Sequence, residues 1–223
     1  MDRKLIITGD GSHSIAIPSR SLTYHSVYGA ISESRHVFIE AGLLKAATIY
    51  LNELRILEIG WGTGLNTLLT FAASMDLAQD IFYAAIEPEP LIKSEWEALN
   101  YCNALELPEL QKAFNLMHLA DFDQSISLND RFVFQKSLNL DTIQKSGDKF
   151  HLVYHDAFAP AGEPGLWTKD FFRQIQHQMD VNALIVTYCS KGDVRRTMIE
   201  CGFDVEKLKG PKGKREMLRA RKV

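Results

Sequence analysis

Leu57-Glu58-Ile59-Gly60-Trp61-Gly62-Thr63-Gly64-Leu65-Asn66 is the stretch that decides the fold. The apolar run Leu54 to Ile59 leads into it as a short strand, and Leu65 to Met75 leads out of it as a helix. The glycines between them permit backbone angles and a close ligand approach that a Cβ would block. In open α/β sheets ligands bind beyond the carboxyl ends of the strands, so this first turn is the place to look for a site. Its spacing is GxGxG preceded by the acid Glu58. The dinucleotide fingerprint needs GxGxxG and the phosphate loop needs GxxxxGK before Ser or Thr, and neither is present.

Working outward, short apolar runs recur at Ile81 to Ile86, Leu116 to Ala120, Phe150 to Tyr154 and Ala183 to Tyr188. Helical stretches (Glu89 to Cys102, Trp167 to Met179, Asp193 to Cys201) separate most of them. This alternation predicts a largely parallel sheet with helices on both faces, a Rossmann-like α/β architecture. Arg131 to Leu138 interrupts the pattern and reads as an inserted strand or hairpin. Phe203 to Leu208 and Lys214 to Leu218, joined through Gly210-Pro211-Lys212-Gly213, predict an antiparallel hairpin at the sheet edge. Upstream, Lys4 to Thr8 and His13 to Ile17 flank Gly9-Asp10-Gly11-Ser12 as a small hairpin, and Val27 to Tyr50 carries one or two helices. Residues 1–50 are therefore expected to be an appendage packed on a main domain at 51–223.

A chain of 223 residues, 46% hydrophobic and 24% charged, falls in the ordinary globular range. It lacks an apolar run of membrane-spanning length, and its start lacks that of a signal peptide, which predicts a cytoplasmic protein without membrane partners. Cys102, Cys189 and Cys201 are widely spaced and support neither a disulfide framework nor a metal site. The net charge of −3 argues against a uniformly basic nucleic-acid coat. From Lys207 to Val223, however, eight Lys or Arg residues face the single acid Glu216. Such an excess attracts a polyanion, or else marks a solvated terminus.

Acids at successive strand ends narrow the cofactor. Glu58 lies in the first predicted strand, Glu87 ends the second, and Asp121 ends the third. A carboxylate in the position of Glu87 can accept both hydroxyls of a ribose, and Asp121 is placed to accept from an adenine amino group. A cofactor with no phosphate, a positive sulfonium, an ammonium and a ribose suits this set. S-adenosylmethionine is the expected cofactor, held by Glu58, Gly60, Gly62, Gly64, Asn66, Glu87 and Asp121, with no metal.

After the fourth strand come Tyr154-His155-Asp156-Ala157-Phe158-Ala159-Pro160-Ala161 and Pro164-Gly165-Leu166-Trp167-Thr168. With Glu33-Ser34-Arg35-His36-Val37-Phe38, Glu58 through Asn66, and Gly213-Lys214-Arg215-Glu216-Met217-Leu218, these stretches run in order along nearly the whole chain. The chain thereby resembles the tRNA 5-methylaminomethyl-2-thiouridine methyltransferases, MnmD and the methyltransferase half of bifunctional MnmC. The glycine turn is common to many methyltransferases, whereas the Asp156 to Ala161 stretch and the Lys214 to Leu218 ending are particular to these.

The resemblance implies a class I methyltransferase sheet and methyl transfer to the primary amine of 5-aminomethyl-(2-thio)uridine at the tRNA wobble position. At the fourth strand's end Asp156 is the candidate to accept an N–H from that amine and take its proton, with a cap on the next segment as the simple alternative. Phe158 and Trp167 would stack on the unstacked base, although each also suits a core position. Tyr24 would line the same pocket, and His25 beside it reads as a structural histidine. Glu33 and Arg35 are carried over by resemblance alone, with a buried Glu-Arg pair as the simple alternative. Lys212, Lys214 and Arg215 would contact phosphates of the anticodon arm. Two departures stand out: Trp61 where relatives often have Phe, and Gly162-Glu163 where they often have Lys-Asn. The bifunctional relatives' flavin module has no room in 223 residues, so no flavin is expected. A polyamine aminopropyltransferase, methylation of another RNA or small amine, and a non-catalytic binding protein remain as alternatives.

Overall fold

The computed structural model describes residues 2–143 and 148–223. Strands β1 (Lys4–Ile7), β2 (His13–Ile17) and β3 (Leu22–Thr23) form a small antiparallel sheet. Its first turn is tied by Asp10, whose Oδ1 accepts from the Ser12 amide at 3.1 Å. Helix α1 (Ala30–Ser34) runs through a π-helical stretch, Arg35–Leu43, into α2 (Leu44–Ala47). There follow β4 (Glu53–Ile59), α3 (Leu65–Ser74), β5 (Asp80–Ile86), and the short helices α4 (Lys93–Trp96) and α5 (Tyr101–Ala104). Next come α6 (Gln111–Leu119), β6 (Ser125–Asn129), β7 (Phe132–Ser137) and α7 (Leu140–Ile143). The chain closes with β8 (Phe150–His155), α8 (Lys169–Gln178), β9 (Met179–Thr187), α9 (Gly192–Glu200), β10 (Phe203–Lys209) and β11 (Glu216–Lys222).

The main sheet has the order β10-β11-β9-β8-β4-β5-β7-β6. Its centre is parallel: β4 pairs β5 and β8, β5 pairs β7, and β8 pairs β9. The two hairpins, β6 with β7 and β10 with β11, are antiparallel. Side chains of a strand point alternately to opposite faces, and β4 shows both cores that result. Leu54 and Ile56 join Phe38, Leu65 and Leu68 on one face, while Leu57 and Ile59 join Phe172, Ile175 and Met198 on the other. Each such fully buried side chain contributes roughly 1.5–3 kcal/mol. The predicted α/β sheet covered on both faces is what the chain forms.

Four expectations are corrected. Leu116 to Ala120 is no strand but the end of α6. The buried residues there, Ala113, Phe114, Met117 and His118, recur at helical intervals, and the apolar Leu116 and Leu119 face solvent at 40% and 62% exposure. Counting apolar residues without the preceding turn concealed that face. The third parallel strand is β7, inside the stretch read as an insertion. Glu89 to Cys102 is broken into α4 and α5, leaving Asn100 free to accept from the His13 amide at 2.7 Å. In the closing hairpin only β10 lies at the edge, because β11 pairs with β9.

Among the described residues no helix is long and apolar enough to cross a membrane. Of the eight basic residues at the end of the chain, Lys207, Lys214, Arg219 and Arg221 pair with Glu216, Glu33, Glu206 and Asp204. Lys222 donates to the carbonyls of Gln176 and Met179. The segment is a structured hairpin, and half of its basic residues are paired with acids.

Candidate active site

The carboxyl ends of β4, β5, β7 and β8 surround a cavity of about 260 Å³. Its floor is the glycine turn. Gly60 and Trp61 both donate their amides to the Ile86 carbonyl, at 3.1 and 3.0 Å, which bends the chain over the end of β5. Gly60, Gly62 and Gly64 take φ values of +86°, +55° and +77°. A Cβ on Gly60 would lie 2.8 Å from the Asp156 carbonyl oxygen, and one on Gly62 2.8 Å from the Tyr24 ring. Backbone conformation and lack of space both require glycine there.

Glu87, directly after β5, borders the cavity and is 7% exposed. Its Oε2 accepts from the Gly62 amide at 2.7 Å and its Oε1 from the Glu89 amide at 2.8 Å. Burial raises its pKa while these two N–H groups pull it down. The carboxylate is thus fixed with lone pairs left for a ligand.

Asp156 follows β8 and also borders the cavity, half-buried. Its amide donates to the Ile59 carbonyl at 2.9 Å, and its Oδ2 accepts from Asn66 Nδ2 at 2.8 Å. Burial, followed by the neighbouring carboxylates of Glu58 and Glu33, pushes its pKa well above the usual range, against the pull of Asn66 and Lys214. Glu163 borders the cavity too and holds the next loop by accepting from the Phe158 amide at 3.0 Å. None of Glu87, Asp156 and Glu163 has a Lys or Arg ion pair among the described residues. The opposite wall is apolar, with Leu138, Leu140, Leu166 and Phe171.

Of the predicted site residues, Gly60, Gly62, Glu87, Asp156, Tyr24 and Phe158 line this cavity. Gly64 does not, but caps the start of α3. Glu58 and Asn66 are beneath it rather than in it: Glu58 is fully buried and Asn66 is 2% exposed. Asp121 stands exposed just past α6 and is not among the residues lining the cavity, because the strand expected to deliver it is a helix. Leu138, Asn139 and Leu140, directly after β7, occupy that side instead.

Trp167 is no stacking platform, since it is 6% exposed, packs on His155 at 4.2 Å and donates to the Phe158 carbonyl at 2.8 Å. Phe158 meets Tyr24 edge to face at 5.1 Å, with the Arg20 guanidinium 5.8 Å from its ring. Glu33 pairs with Lys214 at 2.6 Å rather than with Arg35, and the Lys214 ammonium lies 3.9 Å from the Tyr188 ring centre. Lys212 and Arg215 are exposed in the adjoining turn. Sequence reasoning missed Tyr188, whose hydroxyl donates to the Ala157 carbonyl at 2.8 Å; its place directly after the β9 run was the available signal.

His25, read from the sequence as a structural histidine, is buried and also borders the cavity. Its Nε2 meets Thr63 Oγ1 at 2.7 Å, and burial lowers its pKa to about 4. His118 is stacked on Trp96 at 4.9 Å and donates from Nε2 to the Thr63 carbonyl at 3.2 Å; burial lowers its pKa to about 3. A histidine whose pKa falls on folding gives stability that is complete above about 6.5 and lost as the pH drops toward the folded value. Wild-type stability relative to His118→Phe is therefore expected to fall by about 1.4 kcal/mol per unit between pH 6 and pH 4. Urea unfolding midpoints of both proteins across that range check it.

The cradle suits S-adenosylmethionine: no Cβ blocks a ligand at Gly60 and Gly62, Glu87 is a fixed carboxylate, and the bordering acids have no ion pair among the described residues and would suit a sulfonium cation. Among proteins with such a sheet and turn, the family match assigns the S-adenosylmethionine-dependent methyltransferase class. The chain belongs to the family described as S-adenosyl-L-methionine-dependent methyltransferase, whose model matches residues 110–223. It is 31% identical over 228 residues to the tRNA 5-methylaminomethyl-2-thiouridine biosynthesis bifunctional protein MnmC of Burkholderia multivorans, covering 96% of this chain and 34% of that protein. The MnmC of Burkholderia mallei strain SAVP1 is 29% identical over 231 residues, with the same coverage. The chain spans about a third of the length of these curated relatives. Among solved structures, MNMC2 from Aquifex aeolicus superposes with a TM-score of 0.77 at 25% identity, covering 98% of this chain and 70% of that one. Spermidine synthase from Thermotoga maritima gives 0.60 at 13% identity, covering 99% and 69%, a likeness of fold.

Proposed function

We propose that the cavity binds S-adenosylmethionine and that the chain methylates the primary amine of 5-aminomethyl-(2-thio)uridine at the wobble position of tRNA, in the cytoplasm. The observation that carries this reading is the Asp156 carboxylate, presented at the cavity without a cation partner and held from behind by Asn66. Glu87 would accept the ribose hydroxyls, and the apolar wall of Leu138, Leu140 and Leu166 would receive the adenine. The cofactor supplies a methyl group activated by a sulfonium. The protein's part is to align the amine and keep its lone pair free, and orientation of this kind is worth up to several kcal/mol. Asp156 accepts an N–H of the acceptor and takes its proton. Tyr24 and Phe158, in edge contact beside it, offer aromatic surface to an unstacked uracil. The names of the Burkholderia relatives and the order of the shared motifs support the acceptor.

The deciding experiment incubates the protein and methyl-labelled cofactor with tRNA bearing wobble aminomethyl groups, then digests the RNA. Label in 5-methylaminomethyl-uridine supports the proposal, and label elsewhere or none overturns it. Glu87→Gln keeps the shape but puts an amide N–H against a backbone N–H, and should weaken cofactor binding by roughly tenfold to a hundredfold. Calorimetric titration with the cofactor alone reads this directly.

The basic hairpin retains a reduced role toward RNA. Lys214 is committed to Glu33, so Lys212 and Arg215 are the candidates for phosphate contacts. Replacing both with Gln should weaken tRNA binding and flatten the log–log salt dependence by about 1.5 to 2. Binding isotherms at several salt concentrations check both the affinity and the slope.

A further inference from the structure

Glu58 is the buried acid for which the proposed reaction has no use. It sits on the β4 face that carries Leu54 and Ile56, fully enclosed, and does not border the cavity. Three donors converge on it: Asn66 Nδ2 at 2.8 Å on Oε1, and Tyr83 Oη at 2.8 Å and Thr67 Oγ1 at 3.2 Å on Oε2. The same Asn66 nitrogen donates to Asp156 Oδ2 at 2.8 Å. One amide group, with both of its N–H bonds used, therefore joins a sealed carboxylate to the one that opens on the cavity.

Maintaining a carboxylate in such a place is costly unless its oxygens are satisfied. A hydrophobic residue on that face would be the cheaper solution for stability alone. We infer that Glu58 is a positioning residue for methyl transfer, acting through the Asn66 amide to fix the direction of the Asp156 carboxylate and to strengthen its hold on the proton leaving the acceptor. The inference rests on the role proposed for Asp156.

The chemistry balances without another reactant. The acceptor arrives as an ammonium; one N–H bond breaks, its electron pair stays on nitrogen, and an O–H bond forms on Asp156. A second negative charge one amide away makes that protonation more favourable, because two carboxylates so close resist being ionised together. Burial raises the pKa of Glu58 to about 8 against the pull of its three donors. Glu58 in turn raises that of Asp156, so the two acids titrate as a coupled pair that gives up its last proton with difficulty. The other groups facing Asp156 are Glu33 from α1, which acts in the same sense, Lys214 from the hairpin turn, which opposes it, and Tyr188. Glu58 faces Glu87 and the hydroxyls of Tyr83 and Thr67, with Tyr154 beyond.

The two links of the chain make opposite predictions, which a merely structural role would not. In Glu58→Gln the neighbouring charge is gone, so the Asp156 carboxyl should titrate about one unit lower, and the acid limb of kcat should move down with it. In Asn66→Ala, Asp156 loses a donor to its charged form, so its titration should move up. Both variants should lower kcat by roughly tenfold or more while cofactor affinity stays within about twofold. The titration is read by carbon NMR on the protein alone, labelled at its Asp carboxyls and assigned with Asp156→Asn, and melting curves establish that each variant is folded. In the Asp156→Asn background, Glu58→Gln should cause no further loss of turnover. An Asp156 titration that does not move in Glu58→Gln, or a collapse of cofactor binding with kcat intact, overturns the inference alone. Full turnover by Asp156→Asn overturns the role of Asp156 and the inference with it. If Glu58→Gln fails to fold, the upward shift in Asn66→Ala decides the question, and its absence counts against the link.

Discussion

Asp156→Ala is expected to bind S-adenosylmethionine as the wild type does and to lose turnover by roughly 10²- to 10⁴-fold, the range for removing a positioned general base. The separation follows from geometry. The cradle proposed for the cofactor comprises the Gly60 to Gly64 turn and Glu87, which is anchored by the Gly62 and Glu89 amides and makes no hydrogen bond to Asp156. Truncating Asp156 removes one acceptor of the Asn66 amide, and Glu58 remains as the other. The backbone bond from the Asp156 amide to Ile59 survives the change of side chain. Equilibrium binding by calorimetry and single-turnover rates on the aminomethyl tRNA give the two numbers. Lost cofactor affinity with residual turnover intact would contradict the role assigned to this carboxylate.

Gly60→Ala is expected to do what Asp156→Ala does not, and damage binding and turnover together. A non-glycine residue at the φ of +86° found here costs about 1–2 kcal/mol. The added Cβ would also meet the Asp156 carbonyl oxygen at 2.8 Å and the Ala157 backbone at 3.0 Å. Those atoms belong to a strand end rather than to a flexible side chain, so relief requires moving the loop that carries the carboxylate. Displacement of a reacting group by about 1 Å can cost 10²-fold in rate. The expected outcome is a melting temperature lowered by several degrees, cofactor affinity lowered at least tenfold, and turnover lowered beyond what saturating cofactor restores. Wild-type cofactor affinity in this variant would mean that the turn is not the floor of the site.

The residues that disclosed most in the sequence are those whose identity backbone geometry dictates. Gly60, Gly62 and Gly64 were legible because their positive φ angles suit almost no other residue, and Glu87 because a strand pattern ended on it. What misled was a short apolar run judged without its neighbours. Leu116 to Ala120 carries the composition of a strand, but the face that matters is set by Ala113, Phe114, Met117 and His118 one helical turn apart. Once that strand was misplaced, Asp121 was expected at a cavity edge that Leu138, Asn139 and Leu140 line instead. Glu58 and Asn66 were expected at the cavity and lie buried outside its lining. Proximity to a glycine turn along the chain does not say on which side of the sheet a side chain lies, although the alternation of Leu57, Glu58 and Ile59 already separated Glu58 from its flanking residues. Lys214 was taken for an RNA contact because charge can be counted in a sequence, whereas its partner Glu33 is 181 residues away.

That separation has a consequence for how the protein acquires its activity. The Lys214 to Glu33 pair spans 181 residues, His36 to the Lys209 carbonyl spans 173, and Arg219 to the Ala41 carbonyl spans 178. Contacts between such distant partners must overcome the entropy of closing the longest loops in the chain, and they delay folding more than local ones do. During synthesis the π-helical segment leaves the ribosome long before the strand it will be fastened to. The flank of the site beyond Asp156 is therefore among the last parts to assemble, and a nascent chain with its central strands already paired would still lack it.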